Sequence, residues 1–139
     1  MGLERTLTII KPDGVEQQNV GDIIKKLEEN QFRIKAVKMV RLMRQQAEEF
    51  YAVHRERDFF NDLTRYMSSG PILVLVLEGE NAIDRLRDLM GATDPRKAAK
   101  GTIRQLYATS IEKNVIHGSD GPATAKTEIS YFFSALEVL

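Results

Sequence analysis

The sequence predicts an α+β fold, and three observations support that prediction. Short β-rich segments alternate with segments of helical periodicity along most of the 139 residues. One segment, residues 72–77 (ILVLVL), is apolar at every position, as a central strand covered at both faces would be. The length suits one domain, which we place at residues 1–139.

The first third of the chain predicts a strand, a helix and a second strand. Residues 6–10 (TLTII) form the first strand, which ends at a turn over residues 11–14 because proline cannot donate to a strand ladder. Residues 20–27 have helical spacing of apolar side chains, and Asn30 ends that helix. Residues 32–42 alternate, which predicts a long half-buried strand. The side chains assigned to its buried face, with Lys38 as an exception, are Phe32, Ile34, Ala36, Val40 and Leu42.

The middle of the chain predicts two helices, over residues 46–54 and 59–67, before the central strand at residues 72–77. A helix over residues 81–90 follows, with Asn81 as its N-cap and Gly91 at its end. Periodicity is then lost over residues 92–113, which predicts a long, mostly irregular loop.

The chain closes with a short strand at residues 115–116, a turn and a last helix that extends to Phe133. Gly118 permits a turn conformation that a β-carbon would oppose, and Ser119 and Asp120 are capping residue types before Pro122. The side chains predicted to be buried by the last helix are Ile129, Phe132, Phe133 and Leu136. Without the helical insertion and the long loop, the order is β-α-β-β-α-β, the ferredoxin-like plan. We expect a four-stranded antiparallel sheet with helices over one face.

Composition excludes several classes of protein. The 20 basic and 20 acidic residues cancel, so nucleic acid is not an expected partner. The absence of cysteine excludes a disulfide framework and a thiolate metal site, and two histidines argue against a dedicated protein metal site. The N-terminus lacks the plan of a signal peptide, and the longest apolar run is too short to span a bilayer, so we expect a cytoplasmic protein without membrane contact.

The polar residues at the predicted loop ends suit a polyphosphate. Lys11 ends the first strand, Arg87 is late in its helix, and Arg104 lies in the long loop. Guanidinium groups match phosphate oxygens, and a lysine adds a point charge. The amide and hydroxyl donors Asn114 and Thr93 lie in or beside the same loop. Neither common glycine-loop nucleotide motif is present.

The residues alone leave two interpretations of the histidine in this region. His117 could accept a phosphoryl group as a nucleophile, or it could be a hydrogen-bonded structural histidine. They also favour Tyr51 as a buried hydroxyl with a local partner.

A series of motifs decides between these interpretations. NVIHGSD at residues 114–120 closely resembles the active-site signature of nucleoside diphosphate kinases, and the similarity extends through four further blocks in the right order. Those blocks are ERT at 4–6, IKPDGV at 10–15, YMSSGP at 66–71 and GTIR at 101–104. The resemblance covers nearly the whole chain. It implies a ping-pong transfer of the γ-phosphate of a nucleoside triphosphate to a nucleoside diphosphate, with Mg²⁺ bound through the nucleotide phosphates.

The resemblance also implies a role for each matched residue. His117 matches the nucleophile, and Ser119 and Glu128 match the pair that supports it. The residues that match phosphate and sugar contacts are Lys11, Arg87, Thr93, Arg104 and Asn114. Tyr51 matches a residue that lies near Lys11 and His117. Phe59 matches the aromatic ring on which the base stacks, and Leu63 and Ile111 match the aliphatic side chains that close the base slot. Such a slot implies broad base specificity, and the family forms homo-oligomers, either tetramers or hexamers.

The chain departs from the family at two places in the long loop. Lys100 stands where members usually have proline, and Gln105-Leu106 where they have Gly-Asp or Ala-Asp. The alternative functions are a non-catalytic ferredoxin-like ligand-binding module or a scaffold protein. The intact set of His117, Lys11 and Glu128 argues against both.

Overall fold

The computed structural model describes residues 2–139, and a four-stranded antiparallel sheet in the order β2-β3-β1-β4 is at its centre. The strands are β1 (Leu3–Ile10), β2 (Arg33–Val40), β3 (Ile72–Glu80) and β4 (Ile116–Gly118). The α-helices are α1 (Pro12–Glu16), α2 (Val20–Glu29), α3 (Arg44–Phe50), α4 (Phe60–Met67), α5 (Ala82–Met90), α6 (Ile103–Tyr107) and α7 (Pro122–Phe132). Short 3₁₀ helices are found at Ala52–His54, Pro95–Lys97 and Ala135–Glu137. The predicted fold class and antiparallel sheet are confirmed.

The helices cover both faces of the sheet, so the expectation of a single covered face was wrong. One core cluster joins Leu75 and Leu77 of β3 to side chains of α2 and α5. The other joins Val74 and Val76 to side chains of α3, α4 and α7. The helical insertion between β2 and β3 supplies the second layer, which explains why β3 is apolar at both faces.

A bulge in β2 overturns the predicted single buried face of that strand. Ile34 pairs with Leu77, whereas Ala36 pairs with Val76, so one extra residue of β2 lies between these pairs. Because an extra residue reverses the alternation, Ile34 contacts one core and Ala36 the other. The apparent alternation in the sequence therefore spans two faces.

Lys38, the exception on the predicted buried face of β2, contacts two residues near the C-terminus of the chain. Its Nζ donates to the Phe132 carbonyl oxygen at 2.9 Å and lies 4.8 Å from the centre of the Phe133 ring. The last helix ends at Phe132, and Leu136 is 92% exposed, so the predicted burial of Leu136 was wrong. The chain leaves the helical path after Phe132, and the helical periodicity no longer applies.

Two predicted helix starts are built differently from the expectation. Asn81 has a left-handed backbone (φ 48°) and makes no side-chain cap; Glu4 Oε1 instead accepts from the Ile83 N–H at 3.1 Å. Gly121, rather than Ser119 or Asp120, is the N-cap of α7.

Other helix and strand boundaries differ less from the predicted ones. The predicted turn after β1 continues directly into α1, and the predicted helix over residues 46–54 changes from α-helix to 3₁₀ geometry after Phe50. The long loop contains α6 and a 3₁₀ turn.

None of the helices within residues 2–139 has the length and hydropathy needed to cross a membrane.

Candidate active site

Most of the predicted site residues line two adjoining cavities. The first, of about 260 Å³, contains Lys11, Tyr51, Arg87, Arg104, His117 and Glu128 in its walls. The second, of about 350 Å³, is lined by the remaining predicted binding residues together with Asp62, Tyr66 and Glu112. Phe59, Leu63 and Thr93 contribute to both, and Ile111 and Asn114 to the second. Ser119 is buried beneath the first cavity.

His117 lies within β4, opposite Ile9 of β1, and not at the end of a strand as expected. Its Nε2 is 3.0 Å from Glu128 Oε1, which also accepts the Ser119 hydroxyl at 2.7 Å. The Ser119 Oγ in turn accepts the Leu7 N–H at 3.3 Å. Among the described residues, the other imidazole nitrogen, Nδ1, has no hydrogen-bond partner. The carboxylate therefore orients the ring and leaves one nitrogen available at the cavity.

The backbone strain predicted near His117 lies on a different residue. Val115 has φ 69°, a conformation that is costly for a β-branched side chain. Its carbonyl oxygen accepts the Lys11 N–H at 2.8 Å, which helps to hold that conformation. Gly118 does not have a positive φ; a β-carbon there would lie 2.6 Å from Met90 Sδ. Glycine is required at 118 for close packing on α5.

Lys11 is buried at the end of β1, and its Nζ donates to Asn114 Oδ1 at 2.7 Å. Burial, followed by the nearby charge of Arg104, lowers the pKa of the Lys11 ammonium to about 8. At neutral pH the group is still charged. A buried ammonium with one neutral partner is suited to receive an anion from the cavity.

Arg104 organises the backbone around the site. Its guanidinium donates to the carbonyl oxygens of Asn114 (3.2 Å), Gly91 (3.1 Å) and Ile116 (2.8 Å). Burial, and then the charge of Arg87, lowers its pKa to about 10, which leaves it charged at neutral pH. A guanidinium has five N–H donors, so donors remain for a ligand in the cavity.

Tyr51 is 6% exposed, and within residues 2–139 its hydroxyl has no hydrogen-bond partner. The expected local partner is therefore not found. Burial, and then the charge of Glu128, raises the pKa of the Tyr51 phenol, so it stays a donor. An unpaired buried hydroxyl in a cavity wall is costly unless a ligand satisfies it.

The second cavity has exposed apolar walls. Phe59 is 43% exposed and Ile111 53% exposed, and both line the space together with Leu63. Exposed apolar side chains that line one cavity are typical of a ligand-binding site.

The family model for "Nucleoside diphosphate kinase" matches residues 4–138. The chain belongs to the nucleoside diphosphate kinase family. Curated family members from Desulfosudis oleivorans and Nitrosospira multiformis are 58% and 59% identical to it. Each match covers 99% of this chain, and 99% and 98% of the respective relative. It is thus an enzyme, a nucleotide-binding kinase that transfers a phosphoryl group between nucleoside tri- and diphosphates.

Solved structures of the nucleoside diphosphate kinase family have the same fold. The Aquifex aeolicus enzyme is 48% identical, with a TM-score of 0.97 over 99% of this chain and 100% of that one. A halophilic enzyme from Halobacterium salinarum, solved in complex with CDP, is 39% identical, with a TM-score of 0.95 over 99% of this chain and 92% of that one. The predicted ferredoxin-like architecture is confirmed.

Several residues that line the cavities were missed by the sequence analysis, and Phe50 and His54 are among them. Phe50 and His54 line the first cavity; the Phe50 ring centre is 5.5 Å from that of His117, and the His54 ring centre is 5.4 Å from that of Phe59. Phe50 directly precedes Tyr51 and His54 follows it by three residues, so their nearness in sequence to a matched residue was the available signal. Their role depends on which side chains α3 meets, and helical periodicity alone does not show that.

Proposed function

We propose that this kinase works by a ping-pong mechanism in which His117 carries the phosphoryl group. The observation that supports it is the hydrogen bond from His117 Nε2 to Glu128, which leaves Nδ1 with its lone pair. Nδ1 attacks the γ-phosphorus of a nucleoside triphosphate, a P–N bond forms, and the P–O bond to the β-phosphate breaks. The diphosphate leaves with that electron pair. In the second half-reaction an oxygen of another diphosphate attacks, and the P–N electron pair returns to Nδ1.

Glu128 and Ser119 support the histidine in this proposal. As Nδ1 bonds to phosphorus, positive charge develops on the imidazole, and the adjacent carboxylate stabilises it. The Ser119 hydroxyl, 2.7 Å from the same carboxylate oxygen, keeps Glu128 in place. Neither residue is required to touch the nucleotide.

The cationic side of the cavity would hold the phosphates. Phosphoryl transfer depends mainly on positioning and charge neutralisation, which the buried Lys11 and the two guanidinium groups of Arg87 and Arg104 supply. The unpaired Tyr51 hydroxyl is a further donor to a phosphoryl oxygen. Thr93 and Asn114 complete the phosphate and sugar contacts.

Magnesium would enter with the nucleotide. No group of three or more potential metal-ligating side chains occurs in residues 2–139, and the first cavity has three cationic side chains in its walls, those of Lys11, Arg87 and Arg104. These residues fit a metal that is held by phosphate oxygens and not by the protein. When bound, Mg²⁺ neutralises charge on the β- and γ-phosphates.

The second cavity would hold the base, stacked on Phe59 and enclosed by Leu63 and Ile111. Stacking against apolar walls does not distinguish the hydrogen-bonding edges of bases, so we propose that purine and pyrimidine nucleotides are both substrates. The bound CDP of the halobacterial relative is consistent with pyrimidine binding. We further propose that the chain acts as one domain within a cytoplasmic homo-oligomer, a tetramer or hexamer.

The decisive experiment is brief incubation with [γ-³²P]ATP and Mg²⁺, followed by a search for acid-labile, base-stable label on the protein. We expect label on the wild type, none on His117→Ala, and most of it retained on His54→Ala, the other histidine of the chain. Label on the folded His117→Ala protein would contradict the mechanism. Absence of label on the wild type would favour direct transfer between the bound nucleotides.

A further inference from the structure

Phe50 occupies a place that the proposed mechanism does not use. It is the last residue of α3, it is half-buried, and its side chain lines the same cavity as His117. The two ring centres are 5.5 Å apart and the ring planes meet at 71°. This is an edge-on aromatic contact of the favourable kind.

The other side of Phe50 packs on the helix that carries Glu128. Its ring centre is 5.8 Å from that of Tyr131 and 5.1 Å from that of Phe132. Both residues lie at the end of α7, about one turn after Glu128. The Tyr131 hydroxyl is bound to α3 as well, since it donates to Glu49 Oε1 at 2.8 Å.

Phe50 therefore contacts one member of a hydrogen-bonded pair, His117, and the end of the helix that carries the other member, Glu128. The imidazole of His117 projects from a three-residue strand, and Glu128 projects from a helix on a different part of the chain. The 3.0 Å bond between them requires the imidazole plane to stay aligned with the carboxylate. Among the described residues, the aromatic rings beside that imidazole are Phe50 and Tyr51, the latter at 6.2 Å.

We propose that Phe50 is a positioning residue for phosphoryl transfer. Its ring fixes the plane of the His117 imidazole relative to Glu128, and so keeps the proton on Nε2 and the lone pair on Nδ1. This inference rests on the proposed role of His117 as the nucleophile. Phe50 is not required to touch the nucleotide.

The test compares Phe50→Leu with Phe132→Leu. Both changes remove one ring from the same aromatic cluster, but of these two rings only that of Phe50 contacts the His117 ring within the described residues 2–139. In rapid-quench experiments with [γ-³²P]ATP and Mg²⁺, we expect Phe50→Leu to slow phosphoenzyme formation about tenfold, with KM within about twofold of wild type, because small misplacements of reacting groups are costly. Phe132→Leu should stay within about threefold of the wild-type rate even if both variants lose similar thermal stability.

Two further readouts separate positioning from stability. Phe50→Tyr, which keeps the ring, should recover most of the rate. In ¹⁵N NMR spectra of protein labelled at histidine, Phe50→Leu should reduce the share of the His117 tautomer that is protonated at Nε2, whereas Phe132→Leu should not. Equal rate losses in the two leucine variants, or an unchanged tautomer in Phe50→Leu, would overturn the inference. Failure of the wild type to form phosphohistidine would instead overturn the proposed mechanism itself.

Discussion

The histidine region and the long loop hold their functional side chains in different ways. In the histidine region, residues 117–128, side chains bind side chains: Ser119 donates to Glu128, which also binds His117. In the long loop, residues 92–113, the Arg104 side chain binds the backbone carbonyls of Gly91 and Asn114, the residues that flank the loop. A change in the first region should therefore alter chemistry and spare the fold. A change in the second should alter the chemistry and the fold together.

The largest expected effect is that of Arg104→Lys. A lysine ammonium cannot reach three carbonyl oxygens in the geometry of the guanidinium fork, and each buried carbonyl left unpaired costs about 1–3 kcal/mol. We expect kcat/KM to fall about 10²-fold and the thermal midpoint to fall with it. Steady-state kinetics and thermal melts measure the two effects.

Arg87→Lys is the matched control for that substitution. The Arg87 side chain makes one hydrogen bond to the rest of residues 2–139, to the Gly118 carbonyl oxygen at 3.4 Å. Its replacement should therefore reduce activity with little change in the thermal midpoint. If Arg104→Lys also left the midpoint unchanged, the long loop would not depend on the Arg104 contacts.

Glu128→Gln probes the histidine region. Unlike Arg104→Lys, it should reduce the rate of phosphoryl transfer without lowering the thermal midpoint. The amide keeps the size of the carboxylate but cannot stabilise positive charge on the imidazole as well. We expect single-turnover transfer to slow about tenfold, with nucleotide affinity and thermal midpoint nearly unchanged. Lost nucleotide affinity together with fast transfer would place Glu128 at the nucleotide, contrary to its proposed role.

Lys11 is bonded to Asn114 beside the long loop and lines the same cavity as His117, and its titration gives a pH test. Because the pKa of Lys11 is about 8, kcat/KM should fall as pH rises through 8, when the phosphate-binding charge is lost. Stability should move the other way. Between pH 8 and the ordinary lysine pKa of 10.5, the unfolded chain binds more protons than the folded one, so the Lys11 contribution to the unfolding free energy rises with pH.

Kinetics and melts over pH 7–10 distinguish these effects, with Lys11→Arg as the control. Arginine keeps its charge over this range, so the variant should lose the decline near pH 8 even though its activity is lower. A decline that persists in Lys11→Arg would come from another group.

The strands and helices were largely predictable from local sequence patterns, and so was the grouping of Lys11 and His117 at one end of the sheet. The features that were missed depend on contacts between distant residues. The β2 bulge appears only when Ile34 and Ala36 are paired with β3, and the cap of α5 comes from Glu4, 79 residues before Ile83. The periodicity of apolar residues describes one segment of the chain at a time, so it cannot show the pairing of β2 with β3 or the bond from Ile83 to Glu4.

The smallest expected effect concerns Lys100, where the resemblance to the family implies a proline. The Ala99 carbonyl oxygen accepts the Thr102 N–H at 3.2 Å, and Gly101 between them has φ 88°. This is the pattern of a type II turn with Lys100 at the position that favours proline. Within the described residues the Lys100 N–H has no acceptor, so proline would break no hydrogen bond. Gln105 Oε1 accepts the Gly101 N–H at 3.1 Å, which adds a restraint on the same turn.

We therefore expect Lys100→Pro to raise the free energy of unfolding by about 0.4–1 kcal/mol and to leave kcat unchanged, because proline restricts the unfolded chain at a position where its backbone already fits. Lys100→Ala separates the loss of the lysine from the gain of the ring, and it should show no comparable rise. If the Gln105 contact already restrains the turn, the proline should stabilise a Gln105→Ala protein at least as much as the parent. Thermal melts measure the stability of each variant, and sedimentation at several protein concentrations measures the size of its assembly. Lys100→Pro could instead lower the thermal midpoint or shift the protein to smaller assemblies. If Lys100→Ala reproduced that result, the lysine would make a contact between subunits. The long loop would then be held by a neighbouring subunit as well as by Arg104.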